Sequence, residues 1–256
     1  MKQIDTIIIG ATALALPLAY KLGESCLVVE SGFSAGTEFV DAIAASVENT
    51  STSRNGIAGE LRDELLQKNI MSSDGRLHIL AIGGLLAGRY LETGCHLLLG
   101  SVLVSVTRIS GGFIVELFCP ECGYLQYTAK RIIDTRVHDF MDCQKIFGLL
   151  LCGDNTLTEY DDGNAYLRKG RFDDEYILRL RVRRTASIPE AQEAADRYII
   201  ENRSHFGSAK VAGIALVFGY EFAAPLDITR DGVRYIPSAS YPDLLSAIEG
   251  GERVCL

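Results

Sequence analysis

The sequence predicts an α/β fold built on a parallel sheet that opens with a βαβ unit. Three observations predict it. Ile4 to Ile9 is a largely apolar, β-branched run closed by Gly10, which suits a strand buried on both faces. Ala13 to Leu22 is rich in alanine and leucine and ends at Gly23, the composition of a helix with a glycine after its last turn. Cys26 to Glu30 is a second short apolar run. Strand, helix and strand thus fit within about thirty residues, the spacing of a right-handed crossover.

The remaining elements follow in order. Pro17 lies inside the first helix and is expected to bend it or confine it to its first turns. After a looser stretch from Ser31, Glu38 to Val47 looks helical and leads into a polar loop ending near Ser53. Gly59 to Asn69 reads as an amphipathic helix through Leu61, Leu65 and Leu66. His78 to Thr93 reads as another, despite the cost of Gly83, Gly84 and Gly88. Cys95 to Leu99 and Ser101 to Ile109 read as strands. Phe113 to Cys119 and Tyr124 to Ile133 flank the turn Pro120-Glu121-Cys122-Gly123, which makes a hairpin.

Beyond it, residues 143–153 are apolar and short, and residues 154–175 are polar and irregular. Tyr176 to Arg184 alternates apolar residues with arginines and reads as a strand. Ser187 with Glu190 forms a capping box for a helix from Pro189 to Arg203. Val211 to Phe222 is strand-like, and Tyr241 to Glu249 is a short final helix. The expected layout is a nucleotide-binding domain over residues 1–150, carrying the hairpin or meander as an insert. A mixed α+β region over 151–256 faces substrate or partner.

Bulk properties narrow the function. With 256 residues, 48% hydrophobic and 23% charged, the chain has the composition of a globular protein. A net charge of −8 argues against a nucleic-acid partner. The one basic cluster, Arg179, Arg181, Arg183 and Arg184, follows Asp173, Asp174 and Glu175 and reads as a polar strand face paired with nearby acids. No apolar run approaches the ~20 residues of a membrane span. Asp5 interrupts the start of the chain, which therefore reads as a first strand and not as a signal peptide. The seven cysteines are odd in number and scattered. They read as reduced thiols in a cytoplasmic protein.

The residues that carry function are Gly10-Ala11-Thr12-Ala13-Leu14-Ala15 and, at the end of the second strand, Glu30. In a dinucleotide-binding turn the first glycine permits the tight turn, the second lets the pyrophosphate approach and the third allows helix–strand packing. The helix N-terminus offers free N–H groups to the phosphates. An acid about 20 residues on bonds the ribose, and Glu30 with its neighbour Ser31 stands there. Only Gly10 survives of the three glycines. Ala15 is a mild replacement, whereas Thr12 occupies the space of a passing pyrophosphate.

On these residues the chain resembles the FAD-dependent oxidoreductase family, whose members open with an FAD-type Rossmann unit. Ile4 to Glu30 looks like the opening strand, phosphate turn and ribose acid. Tyr90 to Gly100 looks like the helix-glycine-strand segment that follows. Ser101 to Val106 is similar to the strand whose backbone meets the adenine, which implies Leu103 there. Phe113 to Ile133 resembles the β-meander, and Ala129 to Asp134 the strand leading into an Asp-Ala-Thr-Gly turn. That turn here reads Asp134-Thr135-Arg136-Val137. No late glycine-rich segment for the ribityl and isoalloxazine groups is evident, so the chain resembles a shortened, diverged member with a Rossmann-like sheet.

The resemblance implies Gly10, Ala11, Thr12, Ala15, Glu30, Ser31, Leu103, Asp134 and Thr135 as cofactor-binding residues. It leaves FAD held weakly, shared with a partner subunit, or absent. Two functions from different classes follow. One is an FAD-dependent oxidoreductase, or a flavoprotein subunit, acting on a small organic substrate. The other is a non-catalytic accessory or scaffold subunit that has lost flavin binding.

No protein-side catalytic group stands out. Cys119-Pro120-Glu121-Cys122 has the form of a zinc knuckle but lacks the second pair that a four-ligand site needs. It reads as a hairpin turn with two thiols. His138 beside Asp139 is a candidate general base near the nucleotide end of the sheet. No metal site is expected.

Overall fold

The computed structural model describes residues 2–44 and 55–256. Strand β1 (Lys2–Ile9) runs into helix α1 (Ala15–Leu22), a short 3-10 turn and β2 (Cys26–Val29), as the sequence predicts. Pro17 is the third residue of α1 and disturbs nothing, because a first-turn N–H has no intrahelical acceptor to lose. Helix α2 (Gly56–Gln67) and helix α3 (Ile82–Glu92) follow, and then β3 (His96–Leu98). Strands β4 (Val102–Ile109), β5 (Gly112–Cys119) and β6 (Gly123–Asp134) form the antiparallel meander.

The second half begins with β7 (Gln144–Cys152), β8 (Tyr160–Asp161), β9 (Ala165–Lys169) and β10 (Glu175–Val182). Helices α4 (Ile188–Glu201) and α5 (Arg203–Phe206) lead to β11 (Lys210–Ile214) and β12 (Gly219–Glu221). The chain returns through β13 (Ile228–Arg230) and β14 (Val233–Tyr235) to α6 (Leu244–Arg253).

Two sheets result. The first runs β13-β14-β6-β1-β2-β3, with β5 and β4 attached to β6. Strands β14, β6, β1, β2 and β3 are mutually parallel. This sheet draws on both ends of the chain, residues 2–134 and 228–235. The second sheet, β11-β7-β10-β9-β8 with β12 on β7, is antiparallel throughout.

Alternation explains the layers. On β1 and β2, Ile8, Cys26 and Val28 face the main core, which also takes in α1, α2, α3 and the second sheet. Ile7, Ile9, Leu27 and Val29 face a second apolar cluster under the meander, with Phe113, Val115 and Leu117. The first sheet is thereby buried on both faces, which is why its strands read as continuous apolar runs.

Three expectations need correction. Residues 38–44 form turns and no helix, with Ile43 at a positive φ of 47°; the backbone there packs against Gly148, where a Cβ would overlap the Ala42 carbonyl oxygen. The rest of that expected helix and the polar loop lie outside the described residues. The segment 154–175 holds β8 and β9. Val211 to Phe222 splits into β11 and β12, which pair successive parts of β7. After the second sheet the chain returns to the first: β14 lies parallel to β6, and the turn Ile236-Pro237-Ser238-Ala239-Ser240, which holds no glycine, leads into α6.

Candidate functional site

The site forms where β1, β2 and β6 end together, the crevice in which open parallel sheets seat ligands. Gly10 takes φ +99°, and a Cβ there would stand 2.7 Å from Thr135 Oγ1. Its N–H donates to the Val29 carbonyl (2.8 Å), and Thr135 N–H donates to that of Ile9 (2.9 Å). These bonds bring Gly10, Ala11, Thr12, Glu30, Asp134 and Thr135 to one end of the sheet. Thr12, Glu30, Ser31, Thr135 and Arg136 line a cleft of about 370 Å³, closed on the far side by Leu216, Val217 and Phe218. Leu103 is not among the lining residues; it packs on the meander cluster.

Glu30 is buried. Its Oε2 accepts from Ala11 N–H (3.0 Å) and its Oε1 from Gly32 N–H (2.7 Å) and Ser31 Oγ (3.2 Å). Asp134 is buried too, but its carboxylate is engaged. Arg136 grips it through Nε (3.0 Å) and Nη2 (2.8 Å), and His138 Nε2 lies 2.9 Å from Oδ2. Burial pushes the Asp134 carboxyl up, but bonds from His138 and Arg136 outweigh it and hold the group below the usual carboxylate range. His138 thus pairs with Asp134, four residues upstream, and not with Asp139, because its ring is held between Phe140 and Tyr235.

The decisive geometry is at the start of α1. The N–H groups of Ala13, Leu14 and Ala15 are the ones a phosphate would take. Ala13 N–H donates to Glu38 Oε1 (2.8 Å), Leu14 N–H to Ser238 Oγ (3.2 Å) and Ala15 N–H to Thr12 Oγ1 (3.2 Å). Ser238 Oγ in turn donates to Glu38 Oε1 (2.7 Å), and Thr12 Oγ1 donates to Thr135 Oγ1 (2.9 Å). The Thr12 carbonyl accepts from the buried Tyr90 hydroxyl (2.6 Å). A carboxyl and two hydroxyls of the chain itself occupy the anion position. Glu38 Oε2 is buried without a partner, and burial raises this carboxyl to about 7 from its ordinary 4.5.

The residues present therefore do not fit a dinucleotide pyrophosphate in the usual place. Three donors are spent and Thr12 is buried. The Glu38 carboxyl stands where a phosphate oxygen would, and the Arg136 cation is already committed to Asp134. Neither Glu38 nor Ser238 was singled out in the sequence; an acid reaching back 25 positions and a serine 224 positions away leave no local pattern.

Solved structures share this architecture. A flavoprotein/dehydrogenase from Cytophaga hutchinsonii aligns over 98% of this chain and 76% of its own, with TM-score 0.62 and 11% identity. A myxobacterial chondrochloren halogenase, described as FAD-dependent, aligns over 98% and 73%, with TM-score 0.63 and 11% identity. Aklavinone-11 hydroxylase, solved with FAD and aklavinone, aligns over 98% and 61%, with TM-score 0.58 and 12% identity. The chain has the FAD-binding Rossmann-type fold of these flavoproteins. It spans less than two thirds of the hydroxylase. No family model and no curated protein matches it.

Cys119 and Cys122 lie in the β5–β6 turn, with Cys122 N–H donating to the Cys119 carbonyl (3.1 Å). Among the described residues, no group of three or more His, Cys, Asp or Glu side chains is placed to hold a metal ion. None of their helices is long and apolar enough to cross a membrane.

Proposed function

We propose that this chain is a non-catalytic relative of the flavoproteins, an accessory or binding subunit that keeps their architecture without seating FAD in their manner. One observation carries the reading: Glu38, Ser238 and Thr12 satisfy the three N–H groups at the start of α1. Buried polar groups that are already paired gain little from a new ligand, which must first break those bonds. Seven free cysteines suit a reducing, cytoplasmic setting.

A second reading is supported by the cleft beside Thr12, Glu30 and Arg136 and by flavin-dependent neighbours of the same fold. In it the chain is an FAD-dependent oxidoreductase acting on a small organic substrate, and Glu38 swings away when FAD arrives.

The visible spectrum of the purified protein, followed by titration with FAD, separates the two. The first reading expects a colourless protein and no saturable binding up to ~100 µM FAD, a concentration at which even weak specific sites fill. Stoichiometric bound flavin would overturn it in favour of the second.

A further inference from the structure

Adjoining the crevice is a larger cavity, about 770 Å³, between the second sheet and the turn before α6. That is the size of a site for a small organic ligand. Its walls include Tyr166, Tyr220, Phe222 and Tyr241, and two guanidinium groups, Arg168 and Arg179, also reach it.

Arg179 is the unusual member. It sits in the middle of β10, directly across from Tyr166 on β9 and Gly148 on β7. It is 8% exposed, and its Nε is buried with no hydrogen-bond partner. Among the described residues no carboxylate pairs with it; its guanidinium carbon lies over the Tyr166 ring, 5.3 Å from the centroid. Three acids also line the cavity, and each has other partners: Glu38 accepts from Ala13 N–H and Ser238 Oγ, and Glu159 from Lys169 N–H (2.7 Å). Glu221 accepts from the Tyr166 hydroxyl (2.6 Å) and pairs with Arg181 (3.5 Å). Arg181, two residues on, also holds Asp161 (2.9 Å). Within the arginine run, Arg181 and Arg183 pair with acids and Arg184 donates to the Met141 carbonyl (2.6 Å), whereas Arg179, which faces the cavity, has neither kind of partner among the described residues.

A buried, unpaired guanidinium is costly, and proteins that keep one supply it with an anion. The planar fork matches a carboxylate with two parallel bonds. Aromatic walls match a flat, apolar body. We infer that this cavity is a binding site for a small aromatic carboxylate, with Arg179 receiving the carboxylate and Tyr166, Tyr220 and Phe222 the ring. Arg168 has an Nη1 committed to the Tyr160 and Leu167 carbonyls (2.8 and 3.2 Å) and serves as a second positive wall. This inference does not rest on whether FAD binds, and its test contains no flavin.

The test is calorimetric titration of the full chain with benzoate, its neutral isostere benzamide, and inorganic phosphate. One benzoate per chain is expected, with benzamide and phosphate each at least about tenfold weaker, the worth of a charge-assisted pair or of ring burial. The Arg179→Met variant should lose benzoate binding. Its melting temperature without ligand should be unchanged or raised, because methionine removes an uncompensated charge. Equal binding of benzoate and benzamide, phosphate as tight as benzoate, unchanged binding by Arg179→Met, or no saturable benzoate binding would each overturn the inference. The wild-type comparison stands even if the variant fails to fold.

Discussion

Glu38 lies at the meeting point of the helix start, the turn before α6 and the aromatic cavity. Burial favours its protonated form in the folded chain, while the unfolded chain ionises it near 4.5. The folded state therefore binds the extra proton between 4.5 and about 7. The stability it contributes is greatest at the acid end and is lost as pH rises through that window, by up to ~3 kcal/mol at 1.36 kcal/mol per unit. Asp134 has the opposite sign: held below its usual range by His138 and Arg136, it loses stability as pH falls. Urea denaturation across pH should show the Glu38 slope vanish in Glu38→Gln and the Asp134 slope persist. At the same scale, Thr12→Gly alone is expected to leave FAD affinity unimproved, since Glu38 still holds the Ala13 N–H. The double variant Thr12→Gly/Glu38→Ala should bind FAD measurably tighter than either single variant, by equilibrium titration.

Elements show which information is local. The capping box of α4 was legible because every partner lies within four residues: Ser187 and Glu190 bond each other's backbone N–H groups as read from the sequence. Ser187→Ala should cost about 1 kcal/mol in chemical denaturation. The first crossover was legible for the same reason, strand by strand. Strands β13 and β14 were not, since three residues each carry no periodicity. Their place is fixed by the pairing of β14 with β6, just over a hundred positions upstream, and of β13 with β14. Helix α6 depends on a contact of that kind as well. Gly251 meets α1 so closely that a Cβ would overlap the Leu14 carbonyl oxygen. Gly251→Ala should destabilise the chain by ~1–3 kcal/mol, the cost of overpacking, read from the urea midpoint.

At the scale of the whole molecule, the parallel sheet is closed by the end of the chain. Leu244, Leu245, Ala247 and Ile248 of α6 are in the main core beside α1 and α2. A chain stopped after Phe222 would lack β13, β14 and this helix, and should lose near-UV circular dichroism and cooperative unfolding while keeping some secondary structure. The fold class was legible in the sequence because buried parallel strands announce themselves as apolar runs. The candidate site was legible only in its position. Gly10, Thr12 and Glu30 converge as their spacing implies and Thr135 as the resemblance implies, but what fills the space between them comes from Glu38 and Ser238, which no short motif connects to it. Arg179 was likewise legible as part of a polar strand face, whereas its burial is a property of the assembled sheets.

The carboxyl at the start of α1 can also be considered as a ligand in its own right. It is tethered through a short segment, so its local concentration at the helix N-terminus is millimolar or above, the regime of short linkers. A free phosphate diester competes from solution, diluted and carrying its own charge, against an occupant tethered to the same chain. Substitution at the glycine positions alone would leave that competitor in place. A change in the loop after β2 that removes this carboxyl should therefore raise affinity for every phosphate-bearing ligand at once.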